Sequence, residues 1–422
     1  MKLVVRRSKV SGTVHAPPSK SHTHRAFLLA ALSHGVSRVT SPLLGEDTCA
    51  TLAAVAALGA EVSRDGDTIT IRGGNLHAPN FTTPPIDCKN SGTSLRMLTG
   101  IASRLAGTTR FTGDASLCSR PMQPLLDAVV QLGAEVSSAG GCAPVSVTGP
   151  ASGCEASIRG DVSSQFISGL LLSAPLGEGE TRIRLTTPLT SRPYVNMTIA
   201  AMQRHGVTVT GTDDGFFVPG GQWYRPADSR VGGDFSSAAF LFVAAALTGT
   251  VTVTGLDSSD PQGDQAVLSL LKMFGAGVVS GPAGISVCPA RLSAADVNLA
   301  DIPDLFPVIA VRATQAAGTS RLYGAAHLRF KESDRIMSTA RFLKAMGADI
   351  RETEDGCVIT GPTPLTGTTV TTFGDHRIMM AGAVAGLVAA GSTVLDDADC
   401  CTVSYPSFVA DMRRLGADME VQ

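Results

Sequence analysis

The chain has 422 residues, too many for one hydrophobic core, so two domains of ordinary size are expected. Apolar residues make up 44% and charged residues 17%, a globular composition that excludes a disordered chain. With 34 basic against 36 acidic residues the net charge is −2, which argues against a nucleic-acid or membrane-surface partner and leaves any basic site to be assembled locally.

The first ten residues carry charges with no long apolar stretch behind them, so no signal peptide is expected. The longest apolar runs, such as 240–247, are too short to span a bilayer. Nine cysteines are scattered, with no C-x-x-C pair and no Cys/His cluster at metal spacing. Reduced, mostly buried thiols in a cytosolic protein are expected.

Along the chain one pattern recurs: an amphipathic helix, a glycine stop, then alternating strand residues. It reads AAVAALGAEV around Gly59, LDAVVQLGAEV around Gly133 and IAAMQRHGVTV around Gly206. It returns as LSLLKMFGAGV around Gly275, RFLKAMGADI around Gly347 and VADMRRLGADM around Gly416. The intervals are 74, 73, 69, 72 and 69 residues. Glycine after the last apolar helical position is the usual left-handed stop, and residues 68–72, 145–148 and 357–360 alternate as strands.

A second series interleaves with the first: a polar loop running into a helix of small residues. These segments are SKSHTHRAFLLAAL from Ser19, NSGTSLRMLTGIA from Asn90 and DVSSQFISGLLLSA from Asp161. DFSSAAFLFVAAAL follows from Asp234, DIPDLFPVIAVRA from Asp301 and GDHRIMMAGAVAGL from Gly374. Such helices have almost no polar face and should be buried, and their Ser, Asp and Asn starts read as N-caps. Six occurrences of both patterns imply six copies of an α/β unit of about seventy residues, three in each of two domains. The last copy is short, and residues 2–5 and 12–15 are expected to complete it, which makes the second domain discontinuous. The crossings then fall near 16–19 and 224–233.

Nearly all the interesting polar residues sit in the loops that open the buried helices. A helix N-terminus offers unpaired N–H groups and partial positive charge, so it attracts anions. Lys20 and Arg25, Arg96, Arg120, Lys331 and Arg335, and Arg377 lie at these loops. Singly, each reads first as a solvated surface charge, and KESDR at 331–335 also reads as an i,i+4 helix surface. Lys20, Arg25 and Arg377, however, sit between Pro, Gly and Ser positions just ahead of strongly apolar helices, where a solvated face is less expected. Asp304 and the Asp375-His376-Arg377 run stand at corresponding points of other repeats, and carboxylates among cations suit proton transfer.

PPSKSHTHRAFLLAAL at 17–32 resembles the lysine–serine loop of the 5-enolpyruvylshikimate-3-phosphate synthases, an enolpyruvyl transferase family. NSGTSLRML, SRPMQPLLDA, DVSSQFISGLLLSAP, SRPYVNM, IPDLFP, LRFKESDRI and GDHRIMM resemble the same family in the same order, across essentially the whole chain. The resemblance implies an α/β, two-domain inside-out α/β barrel of six βαβαββ repeats, three per domain. One domain would comprise residues 1–16 plus 231–422 and the other 17–230, with the active site in the cleft between them. It also implies a cytoplasmic monomer in the pathway to chorismate and the aromatic amino acids.

Carried over position by position, Lys20, Ser21, Arg25, Ser163, Ser164, Gln165, Ser191, Tyr194, Asp304, His327 and Lys331 would hold shikimate 3-phosphate. Phosphoenolpyruvate would meet Lys20, Gly92, Arg120, Gln165, Arg335 and Arg377. The implied reaction is addition then elimination, with Glu332, Asp304, Lys331 and Lys20 as catalytic groups; the division of proton transfer among Asp304, Lys331 and Glu332 stays open. No metal or organic cofactor is implied, because cations and helix ends supply the charge stabilisation. One departure stands out: familiar bacterial members have a lysine in the C-terminal loop where SYPSF aligns Val403. The nearest rival, a UDP-N-acetylglucosamine enolpyruvyl transferase, uses a loop cysteine, and Cys118 lies only two residues before Arg120, closer than that family's spacing. A non-catalytic anion-binding scaffold would be expected to have lost some of Asp304, Lys331 and Glu332. An RNA-processing relative would be expected to carry a basic, aromatic-interleaved stripe, and this sequence has none.

Overall fold

The structure, a computed structural model, describes residues 1–80 and 83–422. Its helices in chain order are α1 (Lys20–Leu32), α2 (Glu46–Ala57), α3 (Gly92–Ala102), the one-turn α4 (Ala115–Cys118), α5 (Gln123–Gln131), α6 (Ser164–Ser173) and α7 (Arg192–Arg204). Then follow α8 (Phe235–Thr248), α9 (Val267–Met273), α10 (Phe306–Thr314), α11 (Arg335–Ala345), α12 (His376–Gly386) and α13 (Phe408–Arg414). The small-residue helices α1, α3, α6, α8, α10 and α12 are buried along nearly their whole length, as their missing polar face requires.

The described residues form six four-stranded sheets of one design. In each, a parallel pair is followed by two antiparallel neighbours. Ile86–Asp87 runs parallel to Gly107–Thr112, which pairs antiparallel with Cys142–Gly149, itself antiparallel to Glu135–Ala139. The helix stops are as repetitive. Gly59, Gly133, Gly206, Gly275, Gly347 and Gly416 all have φ between +82° and +109°, the left-handed region that a side chain resists. At Gly133 the glycine N–H donates to Val130 O at 2.8 Å and the next N–H, of Ala134, to Val129 O at 3.1 Å; the same pair of bonds recurs at Gly59 and Gly347. That is the Schellman closure.

Two sequence expectations need correction. Strand Leu3–Arg6 does complete the last copy, lying between Ser392–Leu395 and Asp418–Val421. Gly12–His15 does not: it pairs in parallel with Val251–Thr254 and so opens the fourth copy's sheet. Period-two alternation identifies a strand but not its partner. The caps also shift. Side-chain caps come from Ser91, Ser163, Asp234 and Asp375. Asn90 and Asp161 lie one and two residues too early; Asp161 instead takes both ends of the Arg159 fork, at 3.0 and 2.8 Å.

The chain forms two compact units, residues 1–19 with 232–422, and 20–231. Each contains three of the sheets and its own apolar core. No helix among the described residues is long and apolar enough to cross a membrane. All nine cysteines are unpaired, but only Cys88, Cys357, Cys400 and Cys401 are buried, while Cys49 and Cys154 are exposed, so the thiols are less buried than their apolar character suggests. Burial pushes the Cys357 thiol up to about 12 and the Cys401 thiol up to about 11, which keeps both protonated and unreactive.

Candidate active site

In the unit of residues 20–231, the polar residues collect at the first turns of α1, α2, α3, α6 and α7. Lys20 opens α1, and its Nζ lies 2.9 Å from Asp47 Oδ2 in the first turn of α2, where the helix dipole favours a carboxylate. Arg25, one turn on from Ser21, is 3% exposed. It donates to Ser21 O, to Tyr194 O and to Thr198 Oγ1, each at 2.8 Å. Burial pulls its pKa down to about 10. Arg25 thus ties α1 to α7 and gathers Ser21 and Tyr194. Ser191, the residue before α7, has φ 54°, a left-handed conformation that is rare and costly away from glycine, and its carbonyl accepts from Tyr194 N–H at 3.1 Å.

A second group surrounds Gly92, the first residue of α3. A Cβ at Gly92 would sit 3.3 Å from Arg120 Nη1 and 3.5 Å from both Arg96 Nη1 and Gln165 Oε1. Glycine is favoured here by close approach rather than by φ, since a side chain would press on the Arg120 guanidinium. Arg96 Nη1 donates to Gln165 Oε1 at 2.8 Å and to Ser163 Oγ at 3.4 Å, and Gln165 Nε2 donates to Thr93 Oγ1 at 2.8 Å. Arg120 is steadied by Asn90, with Nη1 donating to the carbonyl at 3.1 Å and Nη2 to Oδ1 at 2.5 Å. Ser163 caps α6, and Ser164 is its first residue. Thr198 Oγ1 donates to Ser168 Oγ at 2.9 Å, linking α7 to α6. Lys20, Arg25, Arg96 and Arg120 thus gather here, with Asp47 paired to Lys20, and this concentration of cations favours a multiply charged anion.

The other unit is built on paired charges instead. Arg335, 1% exposed at the start of α11, donates to three carboxylates: Nε to Asp375 Oδ2 at 2.8 Å, Nη1 to Asp304 Oδ1 at 2.8 Å and Nη2 to Glu332 Oε2 at 2.5 Å. Arg377 Nη2 lies 2.9 Å from Asp304 Oδ2. Burial alone would raise the Asp304 carboxyl, but Arg377, Arg335 and Lys331 outweigh it and hold it well below the ordinary range. Burial likewise opposes the charge on Arg335, and Asp375, Glu332 and Asp304 overcome it and hold the guanidinium above its ordinary value. Asp375, fully buried, caps α12 by accepting from Arg377 N–H at 2.9 Å and also accepts from Ser333 Oγ at 3.0 Å. Lys331 and Glu332 precede α11, so KESDR is the lead-in to a helix and not an i,i+4 surface pair. His327 is buried in the turn Ala326–Phe330 just ahead of Lys331. Val403 is buried in the turn Asp399–Val403 and brings no cation. Cys118 is half-buried, its thiol donating to Gly113 O at 3.4 Å.

Four participants escaped the sequence assignment. Asp47 stands in the first turn of the amphipathic helix α2, not in a loop that opens a buried helix. Asn90 has the residue type of a cap, which hides its contact with Arg120. In sequence Arg96 is one loop cation among several, and Asp375 is one member of the Asp375-His376-Arg377 run.

The family model described as EPSP synthase (3-phosphoshikimate 1-carboxyvinyltransferase) matches residues 4–412. A 3-phosphoshikimate 1-carboxyvinyltransferase of Methanocorpusculum labreanum is 68% identical over 419 residues, 99% of each chain. One from Methanocaldococcus jannaschii is 42% identical over 428 residues, covering 100% of this chain and 99% of the relative. Among solved structures, EPSP synthase from Acinetobacter baumannii superposes with a TM-score of 0.81 at 29% identity, covering 100% of this chain and 99% of that one. The six-sheet architecture is therefore that of the two-domain inside-out α/β barrel, and the chain belongs to the EPSP synthase family.

Proposed function

We propose that this enzyme transfers the enolpyruvyl group of phosphoenolpyruvate to the 5-hydroxyl of shikimate 3-phosphate and releases phosphate, a step in aromatic amino acid biosynthesis. The observation that carries the reading is the convergence of Arg96, Arg120 and Gln165 on Gly92 at the first turn of α3. Fixed donors at a helix N-terminus suit the phosphate of phosphoenolpyruvate and stabilise developing charge without reorganisation. Lys20 adds a point charge from its place beside Asp47, and Arg335 and Arg377, held by Asp304, Glu332 and Asp375, add positive charge that favours the substrate's anionic groups. Ser21, Arg25, Ser163, Ser164, Gln165, Ser191, Tyr194, Asp304, His327 and Lys331 serve shikimate 3-phosphate, together with Lys20.

The substrate hydroxyl attacks C2 of phosphoenolpyruvate and gives up its proton while C3 gains one. The tetrahedral intermediate then loses a C3 proton as its C2–O bond to phosphate breaks, and phosphate leaves carrying the proton that the hydroxyl released. A carboxylate held ionised by two arginines is a weak proton acceptor, so Asp304 is suited to orienting the 5-hydroxyl. Glu332 is more accessible than Asp304's fully buried neighbour Asp375, which favours Glu332 as the group that delivers and recovers the proton, with Lys331 beside it. Polar, phosphorylated substrates support a cytoplasmic location. The test is phosphate release with phosphoenolpyruvate plus either shikimate 3-phosphate or UDP-N-acetylglucosamine. Release only with the first acceptor is expected; release only with the second would replace this reading with the rival transferase.

A further inference from the structure

Behind the first turns of α1, α2 and α3 runs a chain of four side chains. His24 Nδ1 lies 2.7 Å from Thr51 Oγ1, Thr51 Oγ1 lies 2.6 Å from Ser94 Oγ, and Ser94 Oγ lies 2.7 Å from Ser91 Oγ. All four residues are 0% exposed. Ser91 is the cap of α3, accepting from Ser94 N–H at 3.1 Å. The proton order follows from counting. Ser94 has one hydroxyl proton, and donating it to Ser91 makes Ser94 Oγ an acceptor from Thr51. Thr51 then accepts in turn from His24, because its other acceptor, Asp47 O, is 3.5 Å away. The ring therefore carries its proton on Nδ1.

His24 Nε2 is buried with no hydrogen-bond partner among the described residues. Burial first, then Lys20 and Arg25 on the same helix, hold the His24 pKa well below its ordinary value, so the ring is neutral. Asp47 of α2, paired with Lys20, is the nearby carboxylate. An apolar side chain would fill this space without burying a bare lone pair, so the imidazole is kept at a cost in stability.

We propose that His24 is a positioning residue of the phosphoenolpyruvate pocket, acting through Thr51 and Ser94 on Ser91 to fix the first turn of α3, which holds Gly92 and Arg96. The proposal rests on the assignment of that turn to phosphoenolpyruvate. Thr51→Val is nearly isosteric and breaks the chain in its middle, without touching Lys20 or Arg25. Steady-state kinetics in both substrates, alongside melting temperatures, provide the test. Thr51→Val and His24→Leu should each raise KM for phosphoenolpyruvate about five- to twentyfold, the scale of one buried hydrogen bond, with KM for shikimate 3-phosphate unchanged within about twofold. His24→Asn, whose amide nitrogen can take the Nδ1 position, should restore KM for phosphoenolpyruvate to within about threefold of wild type. If His24→Leu fails to fold, the other two variants carry the same comparison. A folded Thr51→Val enzyme with wild-type KM for phosphoenolpyruvate, or a parallel rise in both KM values, overturns the proposal. A wild-type enzyme that does not turn over phosphoenolpyruvate overturns the underlying functional reading instead.

Discussion

Replacing Asp304 with Asn removes the charge that sits between Arg335 and Arg377, at 2.8 and 2.9 Å. Both arginines are buried, and Asp304 itself is only 16% exposed, so solvent screens these pairs little. Removing one partner of a buried pair costs about 3–5 kcal/mol; the Asn amide oxygen keeps one acceptor, which puts the loss near ~3 kcal/mol. At roughly 2–4 °C per kcal/mol for a domain of this size, the transition of the unit containing residues 232–422 should fall by about 6–12 °C at pH 7. The pH dependence adds a second check. The folded carboxyl lies below its unfolded value, so its contribution is full above the unfolded pKa of about 3.9 and is lost only as pH falls through the folded value. The gap between wild type and variant should therefore be the same at pH 5.5 and pH 7.5 by scanning calorimetry. A shift under 2 °C at pH 7, or a gap that closes by pH 5.5, would refute the argument that Arg377, Arg335 and Lys331 hold this group ionised.

Glu332→Gln should lower turnover by a factor on the order of 10²–10⁴, with shikimate 3-phosphate binding by calorimetry unchanged; near wild-type turnover would remove Glu332 from proton transfer. Gly92→Ala would place a methyl group 3.3 Å from Arg120 Nη1 and 3.5 Å from Arg96 and Gln165. KM for phosphoenolpyruvate should rise roughly tenfold, about 1.4 kcal/mol, with little change in melting temperature because alanine favours the helix. Cys118→Ser should keep its activity in the phosphate-release assay, and a folded but inactive variant would restore a thiol role.

How much the sequence disclosed depends on how local each cause is. The six glycine stops were legible because the need for a positive φ is met within one turn, and the observed values at Gly59 to Gly416 follow directly. The buried helices were legible because α8 and α12 have no polar face to expose. Partnership was not. Nothing in the alternation of Gly12–His15 indicates that it meets Val251–Thr254, more than two hundred residues away. The site divides in the same way. Cations near helix starts could be seen as anion ligands one at a time, but Arg335 among three carboxylates is a property of the fold. Asp47 becomes visible only when α2 brings it to Lys20, 27 positions back along the chain.

Strand Leu3–Arg6 is central in a sheet whose neighbours, Ser392–Leu395 and Asp418–Val421, are synthesised long after it. The unit of residues 20–231 has all of its chain available once Val231 emerges, while the other must wait for a further 191 residues, to Gln422. At about 5–20 residues per second that delay is roughly 10–40 s. Until Ser392–Leu395 is made, the Leu3–Arg6 strand has neither of its sheet partners, and Leu3 and Val5, buried in the folded unit, are left uncovered. Nascent chains stalled just beyond Val231 should accordingly resist protease across 20–231 and be cut near the N-terminal strand; equal protection of both segments would show that the strand finds cover before its sheet exists.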